Sequence, residues 1–364
     1  MRETSWEVVR EADLNASVIA AWDELAVTRG RPYCAPAWML SWGTEPEGRS
    51  HLRIGLVRER ERIIGIIPLI GRPLPPGGGA RYELLSSGTS YRIEPLAAPG
   101  KQEQVAAAGG ELLGALEPRV GVLSLHGIDP EAGWSEALAA VFPDRKGARL
   151  VRRTVLHAPI LSIDDAADYE AWLRSKTRHF RKRALSDKRR FLRTGELKIA
   201  STPAEMTRAI EAFVKLHLGR WRGRRRRSHL DHPSMPARLI AASERLGPTR
   251  LRASTAVVGD QLVAVDIFVL AGDVAAAWNG GWLESYASLR PGWLSLLSGI
   301  EDAIALGMAE VDLGPGAHPW KQRLATRDAT VVSDRLLPRL PRSAATYAYL
   351  VPEQLREAAR RRRR

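Results

Sequence analysis

The hydrophobic pattern of the chain changes period repeatedly, and each change marks an element. Alternation over Trp6 to Arg10 predicts a strand, and helical spacing predicts an amphipathic helix from about Ala16 to Val27 and another near Pro36 to Trp42. Two β-rich runs, Leu52 to Arg58 and Ile63 to Ile70, flank the charged turn Glu59-Arg-Glu-Arg62 and read as a hairpin. The Pro/Gly run Pro73 to Gly79 is a loop, followed by strands at Tyr82 to Ser86 and Ile93 to Ala97. A helix from about Gln102 to Leu116 then leads into a buried strand, Val120 to His126.

The second half repeats this grammar. Leu251 to Val258, the turn Gly259-Asp-Gln261 and Leu262 to Leu270 form another hairpin, Val274 to Trp278 adds a strand, and a helix from about Gly292 to Leu306 precedes the strand Glu310 to Leu313. Two copies of one unit, a hairpin followed by strand, helix and strand, account for this order; ordinary α/β patterning without duplication is the alternative. Between the copies, Leu156 to Ile163 reads as a connecting strand and Tyr169 to Arg193 as one basic amphipathic helix ended by Gly195. Helices over Pro203 to Trp221 and Pro236 to Leu246 surround the loop Arg224 to Arg227. The expected division is therefore a domain at 1–155, a second at 156–340, and a C-terminal helix with a basic tail at 341–364.

Composition narrows the function classes. With 364 residues, 45% apolar and 26% charged, the chain is long enough for two cores and is not a disordered, collagen-like or disulfide-framework protein. The single cysteine, Cys34, excludes internal disulfides and thiolate zinc fingers and points to a reducing compartment, with the cytoplasm as the expected location. The N-terminal residues do not read as a secretory signal, and the longest apolar segments are too short to span a bilayer. The formal charge of +14 is spread widely as arginine, but Arg174 to Arg193, with ten Lys/Arg against one Asp, exceeds that background, as do Arg224 to Arg227 and the tail Arg360 to Arg364. Such patches suit a phosphorylated ligand, RNA or lipid headgroups, and a solvated basic face is the plainer reading.

Three stretches carry candidate chemistry. Tyr286-Ala-Ser-Leu-Arg-Pro-Gly-Trp293 is a turn that opens a helix, where free backbone N–H groups and the helix dipole favour a pyrophosphate; Arg290 adds charge and Gly292 permits close approach. A plain helix start is the competing reading. Asp312-Leu-Gly-Pro-Gly-Ala-His-Pro-Trp-Lys-Gln-Arg323 places His318 and Lys321 after a strand's carboxyl end, where open α/β folds bind ligands; His318 suits a base and Lys321 an electrostatic clamp, unless they are a capping histidine and a surface lysine. Asp266 interrupts the apolar strand Leu262 to Leu270, where burial would raise its pKa toward that of a general base, although an arginine-paired structural role fits equally. Trp278, Trp282, Trp293 and Trp320 crowd the same region as ligand platforms or core. Walker loops, dinucleotide fingerprints, nucleophile elbows and His-Glu-x-x-His zinc motifs are not found, and no metal is expected.

Four of these segments together resemble the GNAT acyltransferase superfamily: Lys176-Thr-Arg-His-Phe-Arg-Lys-Arg183, Gly259-Asp-Gln-Leu-Val-Ala264, Pro291-Gly292 opening a helix, and Gly314-Pro-Gly-Ala-His-Pro-Trp-Lys321 followed by Leu324-Ala-Thr326. The resemblance is to the tandem-GNAT branch associated with cellulose or exopolysaccharide biosynthesis, related in fold to FemAB-type peptidyltransferases. It implies an α/β (α+β) architecture of two GNAT-like domains, each a mixed central sheet flanked by helices. It also implies direct acetyl transfer from acetyl-CoA to an amine or hydroxyl of a small molecule or saccharide. Asp266, His318 and Lys321 are then the candidate catalytic residues. The first splayed strand, taken as Val265 to Phe268, would polarise the thioester through a backbone N–H, making Val265 and Ile267 donor-binding residues with Arg290, Gly292 and Trp293. Trp278, Asn279, Trp282 and Trp320 would receive the acceptor. The family signature Arg/Gln-x-x-Gly-x-Gly/Ala is replaced here by Leu289-Arg-Pro-Gly-Trp293, and Trp320 stands where relatives often place Tyr. The N-terminal copy has no comparable phosphate turn, which implies a structural or acceptor-positioning half. Two alternatives stay open: an aminoacyl-tRNA-dependent peptidyltransferase, the one reading that brings in nucleic acid, and a non-catalytic basic binding module. Peripheral membrane contact through the basic patches is compatible with each.

Overall fold

The computed structural model describes residues 4–43, 50–74, 78–144, 147–223 and 230–339. The Arg224 to Arg227 loop and the basic tail therefore lie outside the described residues. The first part of the chain forms β1 (Thr4–Val9), α1 (Ala16–Thr28), α2 (Pro36–Ser41), β2 (His51–Glu59), β3 (Arg62–Pro73), β4 (Ala80–Leu84), β5 (Leu96–Ala97), α3 (Gln102–Gly114), β6 (Val120–Ile128), α4 (Trp134–Ala140) and β7 (Ala148–His157). There follow β8 (Ile160–Ser162), α5 (Tyr169–Ser175), α6 (Arg178–Phe191), β9 (Gly195–Ile199), α7 (Pro203–Gly223) and α8 (Met235–Leu246). The last elements are β10 (Leu251–Val258), β11 (Gln261–Ala271), β12 (Val274–Trp282), α9 (Pro291–Ala305), β13 (Glu310–Asp312), α10 (Pro319–Leu324) and β14 (Thr330–Pro338).

These elements make two compact units. In the first, the sheet runs β1-β2-β3-β4-β6-β14-β7 with β5 against β3, and β3 is buried along almost its whole length because strands flank it and helices cover it. In the second, the sheet runs β8-β13-β12-β11-β10-β9. Each contains an antiparallel hairpin (β2 with β3, β10 with β11), then a strand, a helix and a strand parallel to the preceding one (β4 with β6, β12 with β13). Two mixed α/β sheets built to one plan is the architecture the sequence pattern implies. The second core forms where α9 lies on β11: Phe268 is buried against Gly299, whose missing Cβ would fall 2.1 Å from the ring.

Several sequence expectations are corrected. The stretch Tyr169 to Arg193 is two helices, because Thr177 leaves helical geometry and its hydroxyl accepts from the Phe180 N–H, capping α6. Asp168 caps α5 in the same way. Gly195 begins β9 rather than ending a helix; a Cβ there would lie 2.5 Å from the Val257 carbonyl oxygen. The expected connecting strand Leu156 to Ile163 is two strand ends, β7 in the first sheet and β8 in the second. Two segments depart from the expected division at residue 155. Gly30–Ser41 belongs to the second unit, where Trp38 meets Trp278 edge-on with centroids 5.2 Å apart. Thr330–Pro338 returns to the first, pairing with β6.

Candidate functional site

The parallel pair β12 and β13 holds register for three residues only, Val274 with Glu310 through Ala276 with Asp312. β12 then continues to Trp282 with β11 alone beside it, so the edge of Ala277 to Trp282 that faced β13 has no strand partner among the described residues. A register shift opposite Ile267 and Phe268 passes over Trp278 in the β11–β12 ladder and bulges β12 at the point of divergence.

At the open end of β13 the chain is tied into a tight polar knot. Asp312, buried, accepts from the Gly314 N–H at 2.8 Å, and Gly314 and Gly316 adopt positive φ. α10 then brings Lys321 back underneath: its ammonium donates to the Gly314 carbonyl at 2.9 Å and the Pro315 carbonyl at 2.8 Å. Burial lowers the Lys321 pKa to about 8, against an upward pull from Asp312. Two of its three N–H donors are used, and one is left for another acceptor. His318, exposed at the start of α10, has its pKa lowered by partial burial and by the charges of Lys321 and Arg220, so its imidazole is neutral at pH 7. Tyr33, in the segment that joins this unit from upstream, is buried, and burial plus Asp312 hold its phenol well above the ordinary range.

The turn into α9 is built differently from the sequence expectation. Arg290 is left-handed (φ 57°, ψ 42°), and its carbonyl accepts from the N–H groups of Trp293 and Leu294. Its guanidinium is ion-paired with Asp187 of α6, which also accepts from Arg190 at 3.0 Å. Gly292 is required by packing: a Cβ would lie 2.7 Å from Trp282 Cδ1. The Arg290 side chain is thus already engaged by Asp187, and the space at Gly292 by the Trp282 ring. Trp293, half-buried, packs edge-on to Phe180 at 5.9 Å and with Trp320 against the core of the second unit, while Trp278 is buried.

Val265 and Ile267 are buried in β11, whose register continues on both sides with β10 and β12. A central strand spends its backbone N–H groups on its neighbours, whereas β12 beyond Ala276 keeps one edge without a strand neighbour among the described residues. Asp266 is reached by Ser295 of α9. Its carboxylate lies over Gly280, where a Cβ would be 2.0 Å from Oδ1, and its covered Oδ2 has no hydrogen-bond partner among the described residues. Burial raises its pKa to about 7, with Ser295 pulling it down. Asn279 is paired in register with Ile267 beside the bulge.

Trp282 instead lines a groove of about 740 Å³ between α7 and the ends of β11 and β12. Arg208, Glu211, Lys215 and Arg220 of α7 face Asp260 and Glu284 across it. Arg220 lies 5.4 Å over the Trp282 ring and also acts on His318, linking the groove to the β13 end. The structure therefore sets Lys321 and Arg220 against His318, and Arg220 over Trp282, while Asp266 lies over Gly280 with Ser295 of α9 acting on its carboxyl. Sequence reasoning missed Arg220, Asp312 as the partner of this loop, and Tyr33; a lone Arg within a helical pattern and a Tyr nearly three hundred residues upstream give no local signal.

Residues 144–322 match the family model described as an acetyltransferase (GNAT) domain. Among solved structures, the chain is similar to FemX, with a TM-score of 0.62 at 9% identity over 90% of this chain and 96% of that one. It is also similar to the C-terminal domain of a putative lysylphosphatidylglycerol synthetase from Agrobacterium fabrum, with a TM-score of 0.55 at 10% identity over 92% and 95% of the two chains. A conserved protein of unknown function from Bacteroides thetaiotaomicron gives 0.55 at 11% identity, over 89% and 98%. No curated protein matches. Residues 144–322 thus form a GNAT acetyltransferase domain, and the chain shares the fold of FemX.

Proposed function

We propose that the second unit transfers an acyl group, acetyl in the simplest case, from acyl-CoA to an amine or hydroxyl of a small molecule or saccharide. The observation that carries this reading is the divergence of β12 from β13 beyond Ala276 and Asp312, with His318 and Lys321 at its open end. The thioester lies along the free edge of β12, its carbonyl accepting from a backbone N–H near the bulge at Trp278. The acceptor nitrogen or oxygen attacks the carbonyl carbon while His318 takes its proton. The C–S bond then breaks and the thiolate of coenzyme A leaves, to be protonated. The remaining Lys321 N–H offsets negative charge on the carbonyl oxygen at the tetrahedral stage. The donor's phosphates rest on the backbone from Glu284 to Trp293, with Arg290 supplying fixed positive charge from the side. The acceptor enters through the groove lined by Trp282 and Arg220.

His318 is preferred to Asp266 as the base because a base must reach the acceptor proton. His318 is exposed beside Lys321, whereas Asp266 is half-buried and its Oδ2 is covered. Calorimetric titration with acetyl-CoA and coenzyme A tests the donor. The wild type should bind both, and Ser288→Asp, an exposed change that sets a carboxylate in the turn, should weaken binding at least tenfold. Wild-type binding that Ser288→Asp leaves unchanged would remove the turn from the donor site. Absence of binding, together with salt-sensitive RNA binding, would favour aminoacyl-tRNA-dependent transfer, the reading that the cationic face of α6 keeps open.

A further inference from the structure

Helix α6 presents an unusual surface. Its apolar positions Ala184 and Phe191 are buried, and Asp187, its one acidic residue, is turned inward against Arg190 and Arg290. Every charged side chain that remains outside is cationic: Arg178, Arg181, Lys182, Arg183, Arg189 and, just beyond, Arg193 form no ion pair among the described residues. Lys188 is different, being held by Glu301 at 2.7 Å. An outer face bearing six cations and no carboxylate is under mutual repulsion, which an anionic partner relieves.

Two leucines specify the partner. Leu185 is 41% exposed and Leu192, the C-cap residue, 49%. They fall in the series Arg178, Lys182, Leu185, Arg189, Leu192, spaced four, three, four and three apart, which is a single stripe along the helix. Branched aliphatic side chains set between cations gain nothing from a phosphodiester backbone. At a lipid surface the leucines enter the acyl boundary while the arginines and lysines stay at headgroup level, long stems along the interface.

We infer that the outer face of α6 docks on an anionic lipid membrane, with Leu185 and Leu192 inserted and the flanking Arg/Lys side chains on the phosphates. The contact is peripheral: no helix among the described residues is long and apolar enough to cross a bilayer. It does not depend on the acyl-transfer reading.

The test is co-sedimentation of the full chain with vesicles of equal parts phosphatidylcholine and phosphatidylglycerol, beside vesicles of phosphatidylcholine alone. The wild type should pellet with the first and not the second. Leu185→Ser with Leu192→Ser keeps every charge and should reduce partitioning several-fold, with thermal melting unchanged because both side chains are exposed. Arg178→Glu with Lys182→Glu should reduce it at least roughly tenfold. Failure of the wild type to bind the anionic vesicles would overturn the proposal. So would wild-type partitioning by both variants, since another surface of this +14 chain would then be responsible. Duplex RNA binding that the charge reversal abolishes and the serine pair leaves intact, without vesicle binding, would assign the face to nucleic acid instead.

Discussion

At the residue scale, the same burial that removes Lys321 from solvent tunes its charge. Its pKa near 8 and the lowered pKa of His318 leave a window in which His318 is neutral and Lys321 charged. With a hydroxyl acceptor, which does not itself titrate there, kcat/KM should rise with pH as His318 loses its proton below its ordinary pKa of 6.5. It should fall again near pH 8 as Lys321 loses its own. Lys321→Arg, which cannot deprotonate in this range, should abolish the alkaline limb while retaining part of the activity; an alkaline limb that survives would assign it to another group. Asp266 follows the opposite logic. Its folded-state pKa of about 7 stands above the 3.8 of the free side chain, so the native state holds its proton more tightly than the unfolded state. Stability linked to Asp266 is complete below pH 4 and is lost as pH rises toward and through 7, by up to a few kcal/mol. Denaturant unfolding of Asp266→Asn between pH 4 and 8 should show a flatter profile than the wild type, with its gain in relative stability at the alkaline end.

At the scale of elements, β12 and α9 determine where chemistry can occur. α9 is held against the sheet by a reciprocal pair: Ser254 Oγ donates to the Ser295 carbonyl at 2.7 Å and Ser295 Oγ to the Ser254 carbonyl at 2.9 Å. Its first turn is fixed by the contact of Gly292 with Trp282, and its approach by the Asp187–Arg290 ion pair from α6. Gly292→Ala should therefore cost roughly 1–3 kcal/mol as the added methyl displaces the indole, measurable as a lowered unfolding midpoint. An unchanged midpoint would mean that the glycine is free to serve the phosphate turn alone. The helical pattern of residues 169–193 was legible in the sequence, but its break was not. Thr177 reads as a helix-compatible residue until its hydroxyl is seen to accept from the Phe180 N–H.

At the scale of the whole molecule, the two units share a plan and differ at the place where a donor would enter. In the first, the segment after β4 folds back along β6. Arg92 N–H donates to the Gly127 carbonyl at 2.6 Å, its guanidinium pairs with Asp129 at 2.9 Å, and Tyr91 lies 3.0 Å from where a Gly127 Cβ would be. The space opened in the second unit by the divergence of β12 and β13 is here filled by the chain itself. The acetyl-CoA titration should accordingly return one site per chain, and two equivalent sites would contradict this account of the first unit.

The repeated order of hairpin, strand, helix and strand came from hydrophobic period alone, because a half-buried strand and an amphipathic helix write different spacings into neighbouring residues. The polar cluster around His318 and Lys321 was also visible, since it lies within one short segment after a strand. Tertiary structure decided what depends on distant pairing. It placed the free strand edge on β12 rather than β11, because a strand's unpaired N–H groups are defined by which neighbours it lacks. It assigned Gly292 to Trp282 and Arg290 to Asp187, put Asp266 within reach of Ser295, and brought Tyr33 to Asp312 across nearly three hundred residues. Local sequence determines which elements form, whereas the environment of each side chain is fixed by long-range contacts that no short window contains.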